Sequence, residues 1–293
     1  MPQSRLFGNP GRAGGKKPAG SLADVSSPEK DFSRVPGVEP SSRIDAWWWL
    51  VALVLGFIVF LVLFRRDPYW NIILFVRDGL VITVSVTILS FAFVLVFGML
   101  GGLGRLAKNR LIHGIATLYV EIVRGIPLLV QLIWWYFAFP IVIQQIGVWL
   151  NIPALADYQA NAIFLAILGL VFCYGAYMSE IYRAGIQSIP KGQMEAARSL
   201  GMTYVQSMRY VILPQAIRVI LPPVGNEFVA LLKDSSLVSV VAVADLTRRG
   251  REFMSTHFNP IEVWTMIALI YLAMTLFSAR VVSWLEKRSR YER

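Results

Sequence analysis

From Ala46 to Phe64 the chain runs through three tryptophans and then aliphatic and phenylalanine side chains without one ionisable group (AWWWLVALVLGFIVFLVLF). A helix needs about 20 apolar residues to cross a hydrocarbon layer. Comparable runs recur at about 79–103, 114–139, 160–182, 217–243 and 262–284. Six crossings in 293 residues therefore predict an all-α membrane protein, because a helix satisfies its own backbone hydrogen bonds in lipid. Composition agrees: 56% of residues are hydrophobic and only 16% charged, against about a quarter charged in a soluble domain. The first run is too long for a signal peptide, its preceding segment is far longer than an n-region, and Arg65 and Arg66 stand where a cleavage site would lie. It reads as an uncleaved anchor helix at 46–66, with its tryptophans at headgroup level.

Residues 1–45 are rich in Gly, Pro, Ser and basic side chains and read as a disordered tail. The Gly-Lys pair there is no phosphate loop, because Pro10 replaces the first glycine and Lys17 the Ser/Thr. The single Cys173 excludes a disulfide framework, and His113 and His257, far apart, make no metal motif. The net charge of +10 is a topology signal, not a nucleic-acid signal. Lys and Arg number 20 in the tail, the 104–113 loop, the 183–218 segment and the C-terminus, against 6 in the alternate connections. Both termini and the polar stretch after the fourth span are expected on the cytoplasmic side.

That stretch, Ser188 to Pro223, contains a short amphipathic helix between two spans. Glu195 lies three residues past a Gly N-cap at Gly192, and Gly201 is placed to end the helix in a left-handed conformation. Ala196, Ala197 and Leu200 are expected to form a shallow apolar face, flanked by Glu195 and Arg198, against which another protein can dock. Glu195, Ala196, Ala197, Gly201, Val211, Leu213 and Pro214 resemble the EAA signature of ABC-importer permeases, with Val211 in place of Ile. YVEIVRGIPLLVQL (119–132), GAYMSEIYRAGIQSIPKGQ (175–193) and GNEFVALLKDSSLVSVVAVADLTRRG (225–250) are similar to polar amino-acid permeases of the histidine, glutamine and arginine uptake type.

The resemblance covers residues 72–288 and implies the transmembrane domain of a type I ABC importer, a five-helix core to which 46–66 adds one helix. It implies a coupling helix that sits in a groove of a partner ATPase, with ATP and magnesium bound there and no cofactor in this chain. It also implies a second permease chain, identical or paralogous, an extracytoplasmic amino-acid-binding protein, and alternating access in the bacterial inner membrane. The chain itself would not be an enzyme.

Ionisable groups at membrane depth cost several kcal/mol unless paired or hydrated, so those inside the spans are functional candidates. Glu121 and Arg124, three apart, can pair with each other. Glu180 sits near the cytoplasmic end of its span. Asn226, Glu227, Lys233 and Asp234 follow Pro222, Pro223 and Gly225, which are expected to interrupt backbone hydrogen bonding and leave carbonyls free for polar partners. They offer an acceptor for a substrate ammonium and a donor for its carboxylate, unless Lys233 and Asp234 merely pair with each other. Thr83, Thr87, Gln131, Tyr174 and Tyr177 are further candidates for a polar path, with bonding to their own backbone carbonyls the alternative for Thr83 and Thr87. The glycines of Gly98-x-x-x-Gly102 suit close helix packing. Arg248 and Arg249, expected outside, can meet a substrate-delivery protein or lipid headgroups.

Three rival classes are weaker. A secondary transporter would show a carboxylate relay in matching halves, and no internal repeat is evident. A membrane enzyme would show a nucleophile beside a base, and none is visible. An exporter subunit is disfavoured by the EAA spacing.

Overall fold

The computed structural model describes residues 46–290, and every regular element among them is helical. The tail expected to be disordered lies outside the described residues. Helix α1 (Ala46–Phe64) turns at Arg65 into α2 (Arg66–Leu106), which departs from helical geometry only at Asp67. At 41 residues, α2 is about 60 Å long, twice the hydrocarbon thickness, so it starts well before the expected span at 79.

The expected third span, 114–139, is not one helix. Helix α3 (Arg110–Gly125) stops where Ile126 adopts extended geometry ahead of Pro127, as a residue preceding proline tends to. The chain resumes as α4 (Leu128–Ile133), a π-helical turn (134–138) and α5 (Phe139–Leu150), so the membrane-length segment is Leu128–Leu150. After α6 (Pro153–Ala156), α7 (Ala162–Gln187) crosses back.

The polar stretch then folds as α8 (Lys191–Ser199), α9 (Tyr204–Ser207) and a second π-helical turn (208–212), leading into α10 (Leu213–Asp234). Helix α10 runs through Pro222 and Pro223, neither of which has an N–H to donate. A 3-10 turn (235–241), α11 (Leu246–His257) and α12 (Pro260–Arg290) complete the chain. Among the described residues, five helical segments are long and apolar enough to cross a membrane. The sixth expected crossing, α10, carries Arg218, Glu227, Lys233 and Asp234, and it packs against α2, α7 and α12.

Helix α7 is the centre of the bundle, contacting α2, α3, α4 and α10. Its approach to α2 is so close that a Cβ on Gly98 would lie 2.5 Å from Met178 Cβ, and one on Gly102 would lie 2.9 Å from Tyr182 Cβ. The small-xxx-small spacing therefore does what the sequence suggests, letting backbones meet where lipid gives no hydrophobic drive. One buried cluster joins Val86 and Val94 of α2 to Leu170, Tyr174 and Met178 of α7 and Leu231 of α10. A second joins Ile72 and Val76 of α2 to Phe253 of α11 and Met266 of α12, with Ile58 and Leu61 of α1 laid against it.

Replacing Gly98 with alanine should cost about 1–3 kcal/mol through this clash. Gly114, whose Cβ would meet nothing within 4 Å, should accept alanine at no cost or gain up to about 1 kcal/mol. Thermal unfolding of the two variants in one detergent would show opposite shifts.

Candidate functional site

The loop after α7 is built as a capped knob. Helix α8 begins after Pro190, so Gly192 lies inside its first turn and is not the N-cap expected from sequence. It ends as anticipated at Gly201, whose φ of +83° only glycine adopts without strain. The Gly201 N–H donates to Arg198 O (3.0 Å) and the Met202 N–H to Ala197 O (3.2 Å), the paired bonds of a Schellman ending. Thr203 then caps α9 reciprocally with Gln206.

The expected apolar face is divided. Ala197 is buried against the protein, whereas Glu195 and Ala196 are exposed and Leu200 is 82% exposed. Ala197 therefore seats the helix, and Leu200, with exposed Tyr204 and Val205, forms the outward surface. Leu213 and Pro214 open α10, where a proline needs no donor. The Gln215 side chain ties α10 back to α8 through Gln193 Oε1 (3.4 Å).

Inside the bundle, Leu128, Cys173, Tyr174, Tyr177, Glu227, Ala230 and Asp234 line a cleft of about 280 Å³ between α4, α7 and α10. The Tyr174 hydroxyl donates to Asp234 Oδ2 at 2.7 Å. Among the described residues, no donor or ion pair meets the Glu227 carboxylate. Glu227 and Asp234 stand two helical turns apart on nearly one face, so both present acceptor oxygens to the cleft. Asn226 and Lys233 are exposed on α10, outside this lining, and the Lys233–Asp234 pair is not formed among the described residues.

The other path candidates have structural partners. Pro127 cannot donate to Val123, and Gln131 supplies the missing donor, its Nε2 reaching Val123 O and Ile126 O at 2.8 Å each. Thr87 donates to Thr83 O (2.8 Å), while Thr83 Oγ1 accepts from the Leu246 N–H (3.0 Å), and both threonines are buried. Glu180 is held by Arg105 of α2 and Arg183 of its own helix. Arg105 also approaches Glu121 at 3.6 Å, so the expected Glu121–Arg124 pair is replaced by an interhelical one. Arg124 instead lies over the Tyr177 ring, 5.3 Å from its centroid.

Arg105 has a role that no local sequence signal marks. Counted as a loop charge, it belongs to the last turn of α2 and ties α2 to α3 and α7. On α11, Arg248 and Arg249 both engage Glu252, at 3.1 and 2.8 Å, and Arg249 also reaches Asp78 of α2. The Arg249 guanidinium holds the Glu252 carboxyl below the usual carboxylate range, and burial pushes that of Asp245, the α11 cap, above it.

A polytopic helical membrane protein with a capped knob between two spans and a carboxylate cleft in its core is built as a transport subunit. The model for the family described as "Binding-protein-dependent transport system inner membrane component" matches residues 94–291, and the chain belongs to that family. It is 34% identical over 227 residues to the glutamine transport system permease protein GlnP of Escherichia coli (strain K12), covering 78% of this chain and 98% of that one. It is 38% identical over 194 residues to the arginine transport system permease protein ArgU of Corynebacterium glutamicum, covering 66% and 61%. The crystal structure of an amino acid ABC transporter with histidines superposes with a TM-score of 0.66 at 38% identity, covering 78% of this chain and 98% of that one. The chain is thus a membrane permease subunit and not an enzyme, and the family works with a separate ATPase and a binding protein.

Gly201→Val should leave α8 folded up to its last turn while straining the Schellman ending by about 1–2 kcal/mol. The purified complex should keep its ATPase subunits yet lose most transport-linked stimulation of ATP hydrolysis. Unchanged stimulation would remove α8 from the coupling role.

Proposed function

We propose that this chain imports polar amino acids across the bacterial inner membrane, as one of two permease chains resting on a dimer of ATP-binding subunits. The cleft at Glu227 and Asp234 is the observation that carries the substrate reading. Two carboxylates in a bundle core, one without a protein partner, favour an ammonium-bearing ligand. The relatives' names, which specify glutamine in one case and arginine in another, support amino acids as the class.

Residues 72–288 form the permease domain, with 46–66 an added helix and 1–45 a cytoplasmic tail. Both termini and α8 lie in the cytoplasm, following the basic-residue excess on that side. Exposed Asn226 and Lys233 on α10 support a second chain, because lipid would not solvate them and a facing protomer enclosing a hydrated path would. The second permease is identical or paralogous.

ATP binding draws the two α8 knobs together. Each knob is linked to its own α10 through Gln193 and Gln215, so its movement reaches the helix that carries Glu227 and Asp234. The site then opens outward to receive substrate from the binding protein, and hydrolysis restores the inward state.

Vesicles containing the permease, its ATPase and its binding protein should accumulate labelled glutamine or arginine only with ATP on the α8 side. Uptake driven by a proton or sodium gradient without ATP would overturn the reading. In the same vesicles Asp234→Asn should lower uptake about tenfold or more by removing one charge-assisted contact. Its amide oxygen still accepts from Tyr174, so thermal stability should change little.

A further inference from the structure

The cleft at Glu227 and Asp234 has two unlike ends. Tyr174 and Asp234 meet at one of them, whereas Glu227 stands two turns nearer the start of α10, toward the end where α8 is attached. Tyr177 lies on that same side, one turn nearer the α8 end of α7 than Tyr174. Over the Tyr177 ring, 5.3 Å from its centroid, stands the guanidinium of Arg124 from the last turn of α3. The contact bridges α3 and α7 at the α8 end of the cleft.

Arg124 is carried on a segment built to bend. Ile126 is extended, Pro127 has no N–H, and no main-chain hydrogen bond joins α3 to α4 among the described residues. The two are linked instead by a side chain, the Gln131 amide, which reaches Val123 O and Ile126 O. Gly125 packs on nothing, since a Cβ there would meet no atom within 4 Å. A second cleft, of about 340 Å³, opens along the break between Ile122 and Ile126 on one side and Val130 and Trp134 on the other. Tilting of α3 against α4 therefore breaks no main-chain hydrogen bond and has open space to enter.

A guanidinium over an aromatic face is attracted without a directional bond, so the two can part and meet again. While they are together, the positive charge of Arg124 opposes the exit of an ammonium-bearing substrate. We propose that Arg124 and Tyr177 form the gate at the α8 end of the cleft, and that the break at 125–127 is the hinge on which Arg124 withdraws. The gate rests on the reading of the Glu227 and Asp234 cleft as the substrate path.

The test uses the complete transporter in vesicles, carrying Cys173→Ser and Ala230→Cys so that its only thiol lines the cleft. A cationic and an anionic methanethiosulfonate, both membrane-impermeant, are applied from the ATPase side without nucleotide. Arg124→Gln and Tyr177→Leu should each raise the labelling rates of both reagents about fivefold, whereas Tyr177→Phe, which keeps the ring, should leave them unchanged. Unaltered rates in Arg124→Gln and Tyr177→Leu would overturn the gate. A faster cationic and a slower anionic reaction in Arg124→Gln would overturn it too, because loss of charge alone produces that pattern.

The hinge is tested by Pro127→Ala, which returns an N–H opposite Val123 O and joins α3 to α4. ATP-driven uptake of labelled glutamine or arginine should fall about fivefold while thermal stability holds or rises. Unchanged uptake would overturn the hinge, and so would a loss of thermal stability, which would assign the break to folding. Excess glutamine or arginine should protect the Ala230→Cys thiol. Absence of protection in every variant would show that the cleft is not the path, a failure distinct from unaltered rates at a cleft that substrate protects.

Discussion

The near-contact of α2 and α7 is the constraint from which the rest of the structure follows. Gly98 and Gly102 remove the side chains that would hold the two helices apart, and Met178 and Tyr182 fill the space. Packing of this kind replaces the hydrophobic drive that lipid cannot supply. With α7 fixed against α2, Glu180 comes within reach of Arg105, and α3 is drawn in through Glu121. The adjoining face of α7 presents Tyr174 and Tyr177 to the cleft beside α10. The cleft is thus positioned by the packing of α7 against α2.

Polar groups inside the bundle divide by whether the fold has already satisfied them. Gln131 repairs the donor lost at Pro127, Thr87 donates to its own helix at Thr83 O, Thr83 Oγ1 accepts from the distant Leu246 N–H, and the Tyr119 hydroxyl donates to Phe172 O at 2.7 Å. Such residues are polar because helix breaks and crossings leave backbone groups that need partners. Glu227 is different, since it faces a cavity without a partner among the described residues. A carboxylate in that position calls for a ligand, water or a cation from outside the chain.

How much of this was legible depended on the range of the interaction. Helix α7, the first helix and the left-handed ending at Gly201 were readable because apolar length and glycine spacing are local signals. Glu227 and Asp234 were readable as charges in an apolar run. Their separation from Lys233 was not, because it depends on which face of α10 meets α7. The break at Pro127 was hidden by an unbroken hydropathy run. Arg105 was hidden because its partners are remote in sequence, and Ala197 was grouped with Leu200 because periodicity cannot tell a seated face from an offered one.

The proposed coupling depends on α8 being the surface that another subunit grips. Leu200, 82% exposed beside the buried Ala197, is the position to probe, since the buried Cys173 leaves Leu200→Cys as the only accessible thiol. Its rate of maleimide labelling should be measured for the permease alone and for the complex with the ATPase. Strong protection in the complex, changing with ATP, is the result predicted. Equal labelling in both would contradict the assignment of α8 as the coupling element.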